Sequence, residues 1–331
     1  MAHYLVTGVA GFIASQVAEM LIGDGHTVLG IDNLNDAYDV RMKQYRLQRL
    51  VQLPGFAFHQ MDISEKENLQ RLDLGGEADP ARPPLDGVIN LAARAGVRQS
   101  VENPWVYLDT NITGTLNLLE LCVRYKIPKF ILASTSSVYG ANAPLPTPED
   151  TESDRPLQAY AASKKSAEAL CHVYHYLYGL DVTIFRYFTV YGPAGRPDMS
   201  MFRFTQWISE GLPVLINGDG EQSRGFTYVK DIARGTILGL KPLGYEIINL
   251  GGHETITIND VVDTLEKLIG RKAQVVSLPA HPADMLANWA DVRKAKRLLG
   301  WEPRVSLLEG MSHLVEWYKA ERDWASQIKT G

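Results

Sequence analysis

Cysteine is scarce in this chain. Only Cys122 and Cys171 occur in 331 residues, far apart and each inside an apolar helical pattern. So few thiols exclude a disulfide framework and a cysteine-built metal site, and they read as buried thiols of a reducing compartment. Long apolar runs are missing too: no stretch approaches the roughly 18 residues that a membrane helix needs. The N-terminus runs into "HYLVTG" without the charged and apolar regions of a secretory signal. Positive charge is not in excess either, and a net charge of -5 leaves no electrostatic footprint for nucleic acid. The locally basic "RMKQYRLQRL", Arg41 to Leu50, has apolar residues at helical spacing and follows Asp36 and Asp39, so it reads as a solvated helix face. These absences predict a cytoplasmic protein with no membrane, nucleic-acid or metal partner.

What is present is an alternation. Short apolar runs recur at Tyr4 ("YLVTG"), Thr27 ("TVLGID"), Phe56 ("FAFHQMD"), Gly87 ("GVINLAA"), Lys129 ("KFILAST") and Val182 ("VTIFRYF"), with helix-like segments between them. Buried strands alternating with helices predict an α/β fold, a doubly wound parallel sheet of the Rossmann type. After about Phe188 glycine and proline become frequent, and helices at Asn259 to Ile269 and Ser306 to Lys319 are set among loops. The expected organisation is a dinucleotide-binding domain over 1–188 and a smaller mixed α/β substrate domain over 189–331. Residues 224–260, including "EIINL", are expected to pack back on the first.

The first turn, "VTGVAGFIAS", sets Gly8, Gly11 and Ala14 where a strand ends and a helix opens. Gly8 allows the tight turn, Gly11 allows close approach of a pyrophosphate, and Ala14 allows helix and strand to pack closely. The helix N-terminus then offers free N–H groups to phosphates. Asp32 ends the second strand, where a carboxylate accepts from both ribose hydroxyls and repels a 2′-phosphate, which favours NAD over NADP.

In "QAYAASKKSAEAL", Tyr160 and Lys164 stand four apart, on one face of a helix. A free tyrosine, with a pKa of about 10, is a poor base at neutral pH. An ammonium beside it and the positive nicotinamide ring both favour the phenolate, which would make the pair a proton shuttle. "ASTSSVYG" ends the fifth strand about 25 residues earlier, at the strand end where an open α/β sheet binds ligands.

Taken together, "VTGVAGFIAS", "GVINLAARAGVRQSVENP", "ASTSSVYGAN", "YAASKKSAE", "FRYFTVYGPAGRPDM" and "WADVRKAKRLLGWEP" resemble the extended short-chain dehydrogenase/reductases across nearly the whole chain. Within them the likeness is to the sugar-nucleotide 4-epimerases, and to those acting on UDP-glucuronate in "IDNLNDAYD" and "VYGPAGRPDMSMF". The resemblance implies that Tyr160 is the base, Lys164 its electrostatic partner, and Thr135 a hydrogen-bond partner of the sugar O4. It implies cofactor contacts from Asp62 and Ile63 at the adenine, from Leu91, Ala92 and Ala93 at ribose and phosphates, and from Tyr187 near the nicotinamide. Phe12 and Ile13 at the helix start, and Asn33 and Asn35 just past Asp32, join that set. On the substrate side it implies Ser136, Thr189, the pyrophosphate candidates Arg98 and Arg224, and Asp284 at the nucleotide ribose. It also implies a homodimer formed through helices at about 103–125 and 159–178. The chain departs from the family pattern at Ala14, at Gly225 where "RDF" is usual, and at Arg94 where glutamine is common.

Related dehydratases and decarboxylases carry an acid after the threonine; here those positions are Ser136 and Ser137. A 4-keto intermediate should therefore simply be reduced again on its other face. If the substrate is a UDP-hexuronate, that intermediate is a β-keto acid prone to lose CO₂. Arg196, in a loop of glycines and prolines, is the candidate to hold the carboxylate bidentately. The competing readings of Arg196 are a phosphate contact and a solvated loop charge. For the whole chain they are a 4-epimerase of a neutral UDP-sugar, a net dehydrogenase, and a non-catalytic NAD-binding regulator.

Overall fold

The computed structural model describes residues 1–72, 74, 84–252, 254–280 and 286–330. The six apolar runs form β1 (His3–Thr7), β2 (Thr27–Asp32), β3 (Phe56–Gln60), β4 (Gly87–Asn90), β5 (Lys129–Thr135) and β6 (Asp181–Tyr187). With Tyr245–Leu250 they make one seven-stranded parallel sheet. Its order is β3-β2-β1-β4-β5-β6 and then Tyr245–Leu250, so the connections reverse direction between β1 and β4. Ligands of doubly wound sheets bind at that reversal, beyond the strand C-termini.

Burial on both faces explains why the central strands read as continuous apolar runs and not as alternating ones. Every residue of β5 is buried, whereas β3, at the sheet edge, exposes alternate positions. One face packs Leu118, Leu119 and Cys122 together with Ala167 and Cys171 of the long helix Ala159–Tyr178. Both thiols are free, and burial pushes their pKa values up, so they act as packing groups. The other face packs Val17 and Ala18 of α1 (Phe12–Gly23) beside Ile232 and Ala233 of Val229–Leu238. That helix lies against the sheet, and the strand Tyr245–Leu250 pairs with β6 at its edge.

A separate apolar cluster lies under three helices, Ser200–Glu210, Ile258–Ile269 and Leu307–Ala320. The last two begin within one residue of the starts read from their sequence. Their caps show why: Thr257 accepts from the amide of Asp260, and Ser306 from that of Glu309.

One expectation is corrected. The basic helix α2 (Arg41–Leu50) is solvated only in part, with Gln44, Gln48 and Arg49 exposed, because Lys43 and Arg46 are buried. Arg46 donates to the carbonyls of Ala10, Ala194 and Gly195 and to the Tyr38 hydroxyl. The 193–196 loop, far along the chain, closes over it. Arg46 can be buried because its fork ends on oxygen acceptors.

Candidate active site

A cleft of about 810 Å³ runs along the C-terminal ends of β1, β2, β4, β5 and β6 and on to residues 189–226. At its cofactor end Gly8 adopts φ 67°, and a Cβ there would meet the Ala92 backbone at 2.7 Å. Nothing but glycine fits that turn. The amide of Gly11 donates to Gly8 O at 2.7 Å, and Phe12 and Ile13 open α1 toward the cleft with no side chain capping its first amides. Ala14 is buried on the inner side of the helix, so the departure from a third glycine is accommodated.

Asp32 ends β2 with its carboxylate accepting from the amides of Ala10 (3.2 Å) and Leu34 (2.8 Å). Lys43 Nζ stands 3.6 Å from Oδ1 and also donates to Asn35 at 3.1 Å. Asn33 donates to Asp62 at 2.6 Å, and Arg94 to Asn35 at 3.3 Å. Burial alone raises the Asp62 pKa. Hydrogen bonds from Ser64 and Asn33 and the Arg94 charge outweigh it, so Asp62 is held below the ordinary range. Ile63, Leu91, Ala92 and Ala93 line the same end.

At the middle of the cleft, Thr135 ends β5 and its hydroxyl accepts from the Ser137 amide. Tyr160 lines the cleft with Thr135 and stands edge-on to Tyr107, with ring centroids 6.1 Å apart. Lys164 Nζ donates to Ala133 O at 2.7 Å, one residue-pair back along β5. Burial pushes the Lys164 pKa down to about 8. Burial also raises the Tyr160 pKa, opposed by the Thr135 bond and the Arg196 charge. In the protein by itself desolvation of Tyr160 prevails, and Lys164 points its ammonium at a carbonyl; the downward shift expected of Tyr160 belongs to the state with the positive nicotinamide ring beside it. Tyr187 lines the wall with its hydroxyl turned away, bonded to Thr236 at 2.7 Å.

The sugar end answers what Arg196 grips. Its Nε and Nη2 hold Asp198 bidentately at 3.1 and 2.5 Å. Its fork is therefore not open but paired with an aspartate two residues on, both side chains partly exposed. Ser136 accepts from Asn288 at 3.1 Å, and Arg224 donates to Ser223 O at 2.7 Å. With the Asn217 amide oriented to satisfy both groups, its oxygen accepts from Arg98 at 2.6 and 3.1 Å. Thr189 lines the cleft beside them. Asp284 lies outside the described residues. Gly225 stands where a Cβ would meet Trp289 at 2.7 Å and Gly252 O at 2.8 Å, so an aspartate there has no room.

Lys43 and Arg203 line the cleft without having been singled out from sequence. Arg203 stacks over Trp207 at 4.5 Å, and its buried Nε has no hydrogen-bond partner among the described residues. The i, i+4 spacing of Arg203 and Trp207 was the available signal, and for Lys43 it was a helical lysine shortly after Asp32. No group of three or more His, Cys, Asp or Glu among the described residues is arranged to hold a metal. No helix among them is long and apolar enough to cross a membrane.

A parallel sheet with a glycine turn, an acid ending β2 and a Tyr–Lys pair beside Thr135 define a dinucleotide-dependent short-chain dehydrogenase/reductase site. The chain belongs to the NAD dependent epimerase/dehydratase family, whose sequence pattern matches residues 4–251. It is 56% identical over 330 residues to a UDP-glucuronate 4-epimerase of Thermodesulfobacterium geofontis (strain OPF15), covering 99% of this chain and 100% of that one. In structure it is similar, with TM-score 0.87 and 38% identity, to the UDP-glucuronic acid 4-epimerase from Bacillus cereus in complex with UDP-glucuronic acid and NAD. That match covers 96% of this chain and 99% of the other. A UDP-glucose 4-epimerase from Thermotoga maritima, with UDP-glucose, matches with TM-score 0.87 and 34% identity over 97% and 99% of the two chains.

Proposed function

We propose that this chain is an NAD-dependent isomerase that converts UDP-glucuronate to UDP-galacturonate by inversion at C4, through a transient 4-keto sugar and without decarboxylation. The observation that carries the reading is one cleft that combines an oxidation apparatus with serines, and no acid, at the two positions after Thr135. Thr135, Tyr160 and Lys164 meet there, and the following positions are Ser136 and Ser137.

The cofactor fit rests on the Gly8 turn, which a Cβ would fill, and on Asp32 at the end of β2. Gly8, Gly11, Phe12 and Ile13 would hold the pyrophosphate, Asp32, Asn33 and Asn35 the adenosine ribose, and Asp62 and Ile63 the adenine. When bound, NAD supplies a hydride acceptor for C4, a donor for the opposite face, and a positive ring that favours the Tyr160 phenolate. Tyr160 takes the O4 proton and later returns it. Thr135 orients O4, and Lys164 is the electrostatic partner of the phenolate. The net reaction is redox-neutral.

Oxidation at C4 leaves the C6 carboxylate two bonds from a ketone carbon. Arg196 is read as the group that holds this carboxylate with its C5–C6 bond out of line with the ketone π system. Asp198 occupies the Nε–Nη2 edge, so the substrate carboxylate takes the remaining Nη1 end or displaces Asp198. Arg98 and Arg224 are read as pyrophosphate contacts.

The reading extends to a cytoplasmic homodimer. Trp105, Tyr176 and Leu177 are 72%, 79% and 60% exposed on Trp105–Leu108 and Ala159–Tyr178, apolar groups that a helix-to-helix interface would cover. Light scattering of the purified protein at twice the chain mass agrees with this; a monomer at micromolar concentration contradicts it.

Chromatography after incubation with UDP-glucuronate tests the activity. UDP-galacturonate as the product, with no accumulation of reduced cofactor, is the expected result. Steady NADH release indicates a dehydrogenase, and turnover of UDP-glucose alone indicates a neutral-sugar epimerase.

A further inference from the structure

Behind the cleft wall lies a charged cluster that the proposed chemistry does not use. Glu168 and Arg186 are 3% and 2% exposed at their side chains and pair bidentately, Nε to Oε1 at 2.9 Å and Nη2 to Oε2 at 2.7 Å. Ser134 Oγ donates to the same Glu168 Oε1 at 2.5 Å. Arg186 further donates to Glu149 O and Ser153 Oγ, at 3.3 and 3.4 Å, and lies over the Tyr139 ring at 4.7 Å. A buried ion pair is weak evidence for stability, since well-packed apolar residues often serve as well. Its place in the fold points elsewhere.

Each member neighbours a residue of the cleft. Ser134 precedes Thr135 on β5, Arg186 precedes Tyr187 on β6, and Glu168 follows Lys164 by one helical turn. The long helix is tied to β5 twice. Lys164 Nζ reaches Ala133 O, and one turn on Glu168 receives Ser134 Oγ. Two ties at i and i+4 of a helix, to successive residues of a strand, fix both the slide and the roll of the helix on that strand. Tyr160, a turn before Lys164, lines the same cleft as Thr135 at the strand end.

We propose that Glu168, locked between Arg186 and Ser134, is a positioning residue that holds the long helix in register with β5 and so sets the Tyr160–Thr135 contact. This rests on the reading of Tyr160 and Lys164 as the proton-handling pair. The carboxylate has a second effect. Burial lowers the Lys164 pKa, and the Glu168 charge opposes that lowering. The groups facing this pair are Tyr160, Lys165 and Cys171 on the long helix, Ser134 on β5 and Arg186 on β6. From other elements Ser153, Tyr139 and Tyr245 pack against the cluster, and Cys122 stands near Cys171.

Three variants test it: Ser134→Ala, Glu168→Gln and the double variant Glu168→Gln/Arg186→Met, read by kcat, KM, bound NAD, Tm and the pH dependence of kcat. Glu168→Gln leaves a buried guanidinium underpaired and lowers Tm; the double variant, lacking both charges, recovers Tm. Ser134→Ala and the double variant keep NAD and a near-normal KM for UDP-glucuronate but lose kcat by roughly tenfold to a hundredfold, the scale of a small misplacement of reacting groups. In the double variant the alkaline limb of kcat moves to lower pH, because no carboxylate opposes the burial of Lys164. The proposal is overturned if Ser134→Ala and the double variant keep wild-type kcat, or if kcat falls only with the folded fraction and the pH profile is unchanged. Tyr160→Phe is run alongside. Full turnover in that variant defeats the base assignment itself, whereas a dead Tyr160→Phe beside fully active Glu168 variants defeats only the positioning role.

Discussion

The two ends of the cleft are organised differently. At the cofactor end the polar groups are fixed by backbone and by one another: Gly11 to Gly8, Asp32 to the amides of Ala10 and Leu34, Asn33 to Asp62. At the sugar end the cations come from loops and short elements and hold internal stand-ins, with Arg196 on Asp198, Arg98 on Asn217 and Arg224 on Ser223 O. On the proposed reading the first end is a preformed mould for a cofactor that need not leave between turnovers. On the same reading the second exchanges internal partners for substrate charges, and its affinity would then be the difference between two sets of bonds.

The largest effect should fall at the seam between the two ends. Tyr160→Phe removes the base and one hydrogen bond, so turnover should fall by roughly 10²–10⁴ while bound NAD and substrate affinity stay close to wild type. Retention of more than about a tenth of the activity would assign the proton to another group.

Next comes the sugar end. Truncating one partner of a desolvated charge pair costs about 2–5 kcal/mol, and about 1.4 kcal/mol is tenfold. Arg196→Ala should thus lose roughly 30-fold or more in kcat/KM for UDP-glucuronate. Lysine should rescue in part, since a point charge lacks the planar grip. UDP-glucose, with no carboxylate, should be unaffected if it reacts, and the surviving turnover of UDP-glucuronate should leak more CO₂. Unchanged kinetics would leave Arg196 with no partner but Asp198.

The smallest effect is expected at the cofactor end, where the load is shared. Asp32→Ala removes charge-assisted hydrogen bonds worth about 1.5–3 kcal/mol, so NAD affinity should fall by roughly tenfold to a hundredfold. Discrimination against NADP should narrow in the same variant, as titration of stripped enzyme with both cofactors would show. Undiminished preference for NAD would move the choice of cofactor to Asn33, Asn35 or Lys43.

The same contrast decides what could be read from residues alone. Strands buried on both faces, the Gly8 turn, Asp32 at a strand end and the Tyr160–Lys164 spacing are local patterns, and each is legible in a window of a few residues. Arg46 was misread because its burial depends on the 193–196 loop, about 150 residues away, and Lys43 because it turns in toward Asp32 and Asn35. The pairing of Arg196 with Asp198 lay two residues off in plain view. Whether that aspartate or solvent takes the fork is set by loop geometry, which spacing does not encode. The burial of Tyr160 was hidden for a related reason: a pKa near a cation also depends on how much water is lost, and that is a property of the folded wall.

Isotope retention at C4 tests the central claim most directly. UDP-glucuronate deuterated at C4 is incubated with the purified protein in ordinary water, and the UDP-galacturonate formed is analysed by mass spectrometry and NMR. Oxidation and reduction at C4 by one retained cofactor predicts that deuterium stays at C4 of the inverted product, with no reduced cofactor released. Loss of the label to solvent, or a labelled NADH appearing in solution, would contradict it.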